Sequence, residues 1–131
     1  METHINFHQM NIDDRILKAI ANQGWTEPTL VQERGIPLLL EGKDMLVRAR
    51  TGSGKTAAFV IPVIQKILEF KDINADSYGT QALILAPSKE LCNQIFKNIL
   101  QLIIKCSRVI KCVDISEQVS ILQLKSKVEF I

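Results

Sequence analysis

The sequence predicts an α/β domain in which parallel strands are covered by helices on both faces, and three observations carry that expectation. The first is a glycine loop, Ala49-Arg50-Thr51-Gly52-Ser53-Gly54-Lys55-Thr56, set between a short apolar strand at 43–47 and a long apolar helix over 56 to about 70. The second is the near-continuous apolar run Gln81-Ala82-Leu83-Ile84-Leu85-Ala86, the pattern of a parallel strand buried on both sides. The third is the alternation of such runs with helix-periodic stretches, which gives strands near 44–48, 81–86, 108–114 and 127–131.

Composition bounds the answer without choosing a partner. At 131 residues and 47% hydrophobic the chain has the size and apolar content of one globular domain. A net charge of +2 is too small to argue for nucleic acid by itself. No apolar run reaches membrane-spanning length, and an N-terminus containing His4, Asn6, His8 and Gln9 is no signal peptide, so an intracellular, membrane-free protein is expected. Cys92, Cys106 and Cys112 form no C-x-x-C pair and read as small buried thiols in a reducing compartment. Neither histidine lies near a cysteine in sequence, so no metal cluster is expected there.

Taken in order, residues 12–23 place Ile12, Ile16, Leu17 and Ile20 on one helical face, with Asn11 as cap and Gly24 as stop. Pro28 disfavours helix at Glu27, so a second helix is expected from Thr29 to about Leu40, bent or interrupted at Pro37. Thr29 and Gln32 have the spacing of a capping box, which is one sufficient use for the Gln32 amide.

The glycine loop fits G-x-x-x-x-G-K-[ST] at every fixed position but the first, where Ala49 stands. Gly52 and Gly54 allow backbone angles that turn successive N–H groups inward, and with the start of the next helix these form a cradle for phosphate oxygens. Lys55 adds a mobile charge for terminal phosphates, and Thr56 a hydroxyl for a Mg²⁺ ion that would also hold them. The helix that follows is apolar nearly all round, suited to packing on a sheet, and Pro62 is expected to kink it one turn in. Residues 71–80 read as a polar surface loop. Ser88 caps the next helix, whose stripe of Leu91, Ile95, Ile99, Leu102, Ile103 and Cys106 is core. A third strand over 108–114, a short helix over 116–125 and a fourth strand from 127 complete the chain.

Phe7 seventeen residues before Gly24, then Gly24-Trp25-Thr26-Glu27-Pro28-Thr29-Leu30-Val31-Gln32, the loop 49–56, and Ala86-Pro87-Ser88-Lys89-Glu90-Leu91 together resemble the opening motifs of the DEAD-box RNA helicases. The Q motif, over approximately residues 7–34, motif I, which commonly begins with alanine, and motif Ia appear in order and at comparable spacing. The resemblance implies a RecA-like P-loop parallel sheet with helices on both faces, residues 1–131 being the N-terminal portion of a truncated first helicase domain. It implies ATP and Mg²⁺ at Ala49, Arg50, Thr51, Gly52, Ser53, Gly54, Lys55 and Thr56, with Lys55 and Thr56 catalytic and Thr56 on the metal. It also implies that Gln32 reads adenine, with Trp25 beside the ring and Phe7 as the upstream aromatic. Core packing explains Trp25 about equally well and Phe7 better. Pro87, Ser88 and Lys89 would meet the RNA backbone. The family usually has arginine at the Lys89 position, and lysine keeps the charge without the bidentate fork.

Two departures limit the resemblance. Paired glycines expected after the third strand are replaced by Asp114-Ile115-Ser116-Glu117, which puts that RNA contact in doubt. The Asp-Glu-Ala-Asp segment, the third motif and the second lobe are not in the chain. Three functions follow: an ATP-binding fragment of an RNA helicase, inactive alone; a small P-loop NTPase using Asp114; or a non-catalytic nucleotide-binding module. The 114–117 departure, the wording of the Q motif and Glu41-Gly42-Lys43-Asp44 resemble a nucleolar branch acting in ribosome biogenesis, with RNA and pre-ribosomal partners. Weak RNA binding, incomplete burial and marginal stability are expected of the 131-residue chain.

Overall fold

The computed structural model describes residues 4–116. Four helices dominate it: α1 (Asp14–Asn22), α2 (Leu30–Leu40), α3 (Lys55–Ile73) and α4 (Lys89–Leu102), preceded by a single 3-10 turn at Phe7–Gln9. The expected short helix after 116 and the strand from 127 lie outside the described residues.

Three of the four helices, α1, α2 and α4, start where a side chain supplies an acceptor for an orphan N–H group. For α1 that residue is Asp13, whose Oδ1 accepts the Arg15 N–H at 2.9 Å. The expected cap, Asn11, instead adopts a left-handed φ of 57°, so it turns the chain two residues before the helix begins. Thr29 caps α2 and Ser88 caps α4, the latter accepting the Leu91 N–H at 3.1 Å. Gly24, at φ +77°, follows α1 as its stop.

Both internal prolines are carried within continuous helices, so of the expected bend or interruption at Pro37 the interruption does not occur. Proline removes one backbone donor, and tertiary packing along the rest of the helix outweighs that loss. In α3 the packing is extensive. Val60, Ile61, Ile64 and Leu68 are each at most 2% exposed, and burying each contributes roughly 1.5–3 kcal/mol. The helix reaches Ile73, so the polar loop begins one turn later than its composition suggests; Asn74 Nδ2 donates to the Phe70 carbonyl at 3.0 Å and Lys71 Nζ to that of Ser77 at 2.6 Å.

α3 is the central element, packed against α1, α2 and α4. One buried cluster joins Phe7, Met10 and Ile16 to Ile36 of α2, the apolar face of α3, and Ile95, Ile99 and Leu102 of α4. Of the expected stripe, Leu91 in the first turn is 36% exposed, while Ile103 and Cys106 are buried but lie beyond the helix, which ends at Leu102. The segments expected as strands carry no regular secondary structure among the described residues. One of them, 81–86, alternates: Ile84 and Ala86 pack on the core, while Leu83 and Leu85 are 72% and 86% exposed.

Candidate nucleotide-binding site

The site is built where the first turn of α2 meets the loop that leads into α3. On α2, Gln32, Gly35 and Ile36 share one buried face by their i, i+3 and i+4 spacing. Gly35 lies opposite Ala58, where an added Cβ would be 3.9 Å from the Ala58 Cβ. Two small residues at the crossing let the helices approach, and the approach puts Gln32 against Gly54.

Gln32 is 4% exposed and its amide is shared between two tasks. Oε1 accepts the Thr29 N–H at 2.9 Å, and the Thr29 hydroxyl accepts the Gln32 N–H at 3.4 Å, which is the capping box. Nε2 donates to the Gly54 carbonyl at 3.1 Å, 22 residues away in sequence. That carbonyl also accepts the Ala58 N–H at 3.2 Å, so it is fixed from both sides. A primary amide has two donor hydrogens and two acceptor lone pairs. One hydrogen and one lone pair therefore remain, the pair that a base edge with one acceptor and one donor needs.

Gly52 and Gly54 have φ values of +83° and +82°, and the Ser53 N–H closes a turn on the Arg50 carbonyl at 3.2 Å. A Cβ at Gly54 would lie 2.5 Å from Gln32 Nε2 and 2.9 Å from Thr29 Oγ1, whereas one at Gly52 meets nothing within 4 Å. Gly54 is thus required for space as well as angle. It is also the N-terminal flank of α3, a helix with no side-chain cap and no acid in its first turn. The positive end of α3 begins with Lys55 and carries no acid in its first turn, an arrangement complementary to an anion.

Two further observations test whether a polyphosphate with Mg²⁺ fits. Ser53 Oγ is buried and has no hydrogen-bond partner among the described residues, an orphan inside the loop. Lys55 Nζ donates to the Ala49 carbonyl at 3.1 Å, holding its charge at the loop mouth through one neutral acceptor that a phosphate oxygen can replace. The donor set fits. Thr56, at the second position of α3, carries the hydroxyl that would hold the metal.

The remaining expected residues are dispersed. Phe7 is 3% exposed, its ring packed in the core cluster. Trp25 is 36% exposed beyond the end of α1, its N–H on the Ile20 carbonyl at 3.4 Å. Arg50 and Thr51 are exposed on the loop. Pro87, Ser88 and Lys89 form the exposed start of α4, with the Ser88 hydroxyl engaged as cap.

Asp114, the candidate acid of a self-contained NTPase, is 8% exposed, and its Oδ2 has no hydrogen-bond partner among the described residues. Its Oδ1 accepts the Ser116 N–H at 2.9 Å, the Ser116 hydroxyl at 2.5 Å and the Cys92 thiol at 3.4 Å. The Ser116 hydroxyl, above all, holds its carboxyl below the usual range against the opposing effect of burial. The carboxylate ties the 114–116 turn to α4. Burial pushes the Cys106 and Cys112 thiols up, consistent with inert packing roles. The contact that sequence reasoning missed is Thr29 against Gly54. The capping box was readable, but its proximity to the loop is tertiary and leaves no mark in spacing.

A family described as DEAD/DEAH box helicase matches residues 29–130. The ATP-dependent RNA helicase DBP9 of Cryptococcus neoformans var. neoformans is 50% identical over 109 residues, covering 80% of this chain and 17% of that protein. Among solved structures, a DEAD box protein from Methanococcus jannaschii is 41% identical at a TM-score of 0.66, covering 78% of this chain and 26% of that one. The RNA-helicase Prp28 from Chaetomium thermophilum, bound to ADP, is 32% identical at a TM-score of 0.67, covering 80% and 26%. The chain thus spans about a fifth of the length of the curated relatives it matches.

Proposed function

Because the chain belongs to the DEAD/DEAH box helicase family, we propose that it carries the ATP-recognising part of an ATP-dependent RNA helicase. Residues 1–131 are assigned to the N-terminal portion of the first, RecA-like domain, with the Q motif over approximately 7–34. The parallel sheet is proposed over 44–48, 81–86 and 108–114, supported by the in-and-out alternation of Ile84 and Ala86 against Leu83 and Leu85.

The observation that carries the proposal is the Gln32 Nε2 bond to the Gly54 carbonyl, because it joins the residue proposed for the base to the loop proposed for the phosphates. Adenine is read by the remaining hydrogen and lone pair of the amide. The polyphosphate lies on the loop amides at the start of α3, and Lys55 exchanges the Ala49 carbonyl for a phosphate oxygen. Bound at Thr56, Mg²⁺ supplies neutralisation of phosphate charge. The ADP-bound relative supports a nucleotide in this fold.

Hydrolysis also requires an acid on the metal and a group to orient water. Asp114 Oδ1 is taken by Ser116 and Cys92 while Oδ2 is buried without a hydrogen-bond partner among the described residues, and nothing in the geometry brings this carboxylate to the glycine loop, so the helicase reading is preferred to the self-contained NTPase. We assign nucleotide binding to these residues, and turnover and strand separation to the longer helicase. Pro87, Ser88 and Lys89 are proposed to meet the RNA backbone at the start of α4. Ribosome biogenesis in the nucleolus, with pre-ribosomal partners, is the proposed setting. No helix among the described residues is long and apolar enough to cross a membrane.

Titration of the 131-residue chain with a fluorescent ATP analogue, competed by ATP or GTP, tests the site. ATP should compete at least about tenfold better, since guanine presents two acceptors where adenine presents one acceptor and one donor, leaving the amide oxygen against another acceptor. Equal competition by GTP would remove Gln32 as the base-reading group.

A further inference from the structure

Residues 4–10 form a strap laid across α2, and its attachment is polar as well as apolar. Phe7 and Met10 are 3% and 5% exposed, while the Asn6 N–H is tied back to Gln9 Oε1 at 3.0 Å. The strap is not packed solidly along its length. A cavity of about 380 Å³ lies beneath it, between Ile5, Met10 and Asn11 on one side and Pro37, Leu40 and Glu69 on the other. Apolar packing alone therefore leaves the leading end of the strap poorly held.

One residue of α2 holds it. Glu33 Oε1 accepts the Ile5 N–H at 2.8 Å, and Oε2 lies 3.4 Å from His4 Nδ1, 28 and 29 positions away in sequence. The Glu33 side chain keeps 15% of its surface exposed, against 79% for His4. The Ile5 N–H, with His4 behind it, holds the Glu33 carboxyl below the usual range. A carboxylate in the first turn of a helix is favoured by the helix dipole wherever it points. Here both oxygens are engaged by the strap. The neighbouring residue is Gln32, whose amide holds Gly54.

We propose that Glu33 is a positioning residue of the nucleotide site: its carboxylate latches the 4–10 strap onto α2, and the latched strap fixes the first turn of α2 where Gln32 reaches Gly54. The coupling part of this inference rests on the nucleotide-binding function proposed above; the latch itself does not. Glu33 touches no nucleotide. It acts through the helix it shares with Gln32.

The test uses the 131-residue chain with two readouts, hydrogen exchange at the amides of residues 5–10 and affinity for a fluorescent ATP analogue. Glu33→Ala should raise exchange across the strap about tenfold, the scale of one charge-assisted hydrogen bond, while amides of α4 stay protected. Analogue affinity should fall about three- to tenfold. Glu33→Gln keeps an acceptor for the Ile5 N–H and should recover most of both. Ile5→Pro deletes the donor at a half-exposed position and should reproduce Glu33→Ala, with the double variant no worse than either single. Unchanged exchange in Glu33→Ala and Ile5→Pro overturns the latch, and a loosened strap with unchanged affinity overturns the positioning role. A parent chain that does not bind the analogue overturns the nucleotide function and the coupling with it, while the exchange readout still decides the latch.

Discussion

Gly52 and Gly54 share a left-handed φ but not the same surroundings, and that difference makes them separable by substitution. Alanine at Gly52 pays only the backbone strain of a left-handed non-glycine residue, about 1–2 kcal/mol, because nothing lies within 4 Å of its Cβ. Alanine at Gly54 adds a clash with Gln32 Nε2 and Thr29 Oγ1, so it must also displace the cap of α2. We expect thermal unfolding to show the larger loss for Gly54→Ala, and its ATP-analogue binding to be lost when Gly52→Ala retains a measurable part. Acid sensitivity is a second matter of single residues. The Arg15 side chain holds the Asp13 carboxyl below its usual range, against the opposing effect of burial, with Arg15 Nε on Oδ1 at 2.9 Å. A carboxylate with a depressed native pKa stabilises the fold fully above the unfolded value of about 4, and loses that contribution as pH falls through the lower native value. Asp114 and Glu33 shift in the same direction. The melting temperature should therefore hold between about pH 7 and 5 and drop below about pH 4, and Asp13→Asn, which keeps a capping oxygen, should shallow that drop. At this scale the loop residues were legible because a phosphate cradle constrains residue type at fixed spacing. Phe7 was legible as core, the better of its two readings, whereas Trp25 stayed open, since an aromatic beside a motif looks the same in sequence whether it stacks or packs.

Helices rest on local rules here, and their edges were readable to within a turn for that reason. Thr29 and Ser88 were identified as caps from composition alone, and both accept the expected N–H. Asp13 was missed in favour of Asn11 because both are good caps two residues apart, and only the backbone angle of Asn11 decides between them. Ser88→Ala should cost about 1 kcal/mol, visible as increased exchange in the first turn of α4, with α1 unaffected. The α2–α3 crossing allows a prediction of opposite sign. Gly35 is helical, without positive φ, and an added methyl would rest at ordinary contact distance, 3.9 Å, from the Ala58 Cβ. Gly35→Ala should therefore stabilise the chain by about 0.5–1 kcal/mol through lower unfolded-state entropy, read as a rise in denaturant midpoint at unchanged slope. A destabilised variant would show that the helices are closer than this geometry allows. The strands were less legible than the helices. A run such as 81–86 states that it wants burial, but which neighbour supplies a ladder is a non-local fact that periodicity does not contain.

For the molecule as a whole, the apolar pattern asks for more cover than α1 to α4 provide. The 81–86 run is apolar at nearly every position, as suits a strand enclosed on both faces, yet Leu83 and Leu85 stand 72% and 86% exposed while Ile84 and Ala86 meet the core. Leu46 is fully exposed and Ile115 is 67% exposed. Isolated exposed leucines are ordinary, but alternate positions along one apolar segment expose a row, and unpaired extended backbone beside such a row is a template for association. The helical face, by contrast, is closed by α3 and has no such requirement. The two faces should therefore respond differently to charge. Leu83→Lys with Leu85→Lys places two cations where only solvent is met, leaving Ile84 and Ala86 in place, so helix content and α3 protection should be unchanged. The parent chain should sediment with an apparent mass that rises with concentration over the micromolar range and should bind an apolar dye, and the double variant should reduce both. If the parent remains monomeric and dye-free at high concentration, these leucines are covered within a single chain, and the helices alone do not account for the hydrophobic burial that its sequence demands.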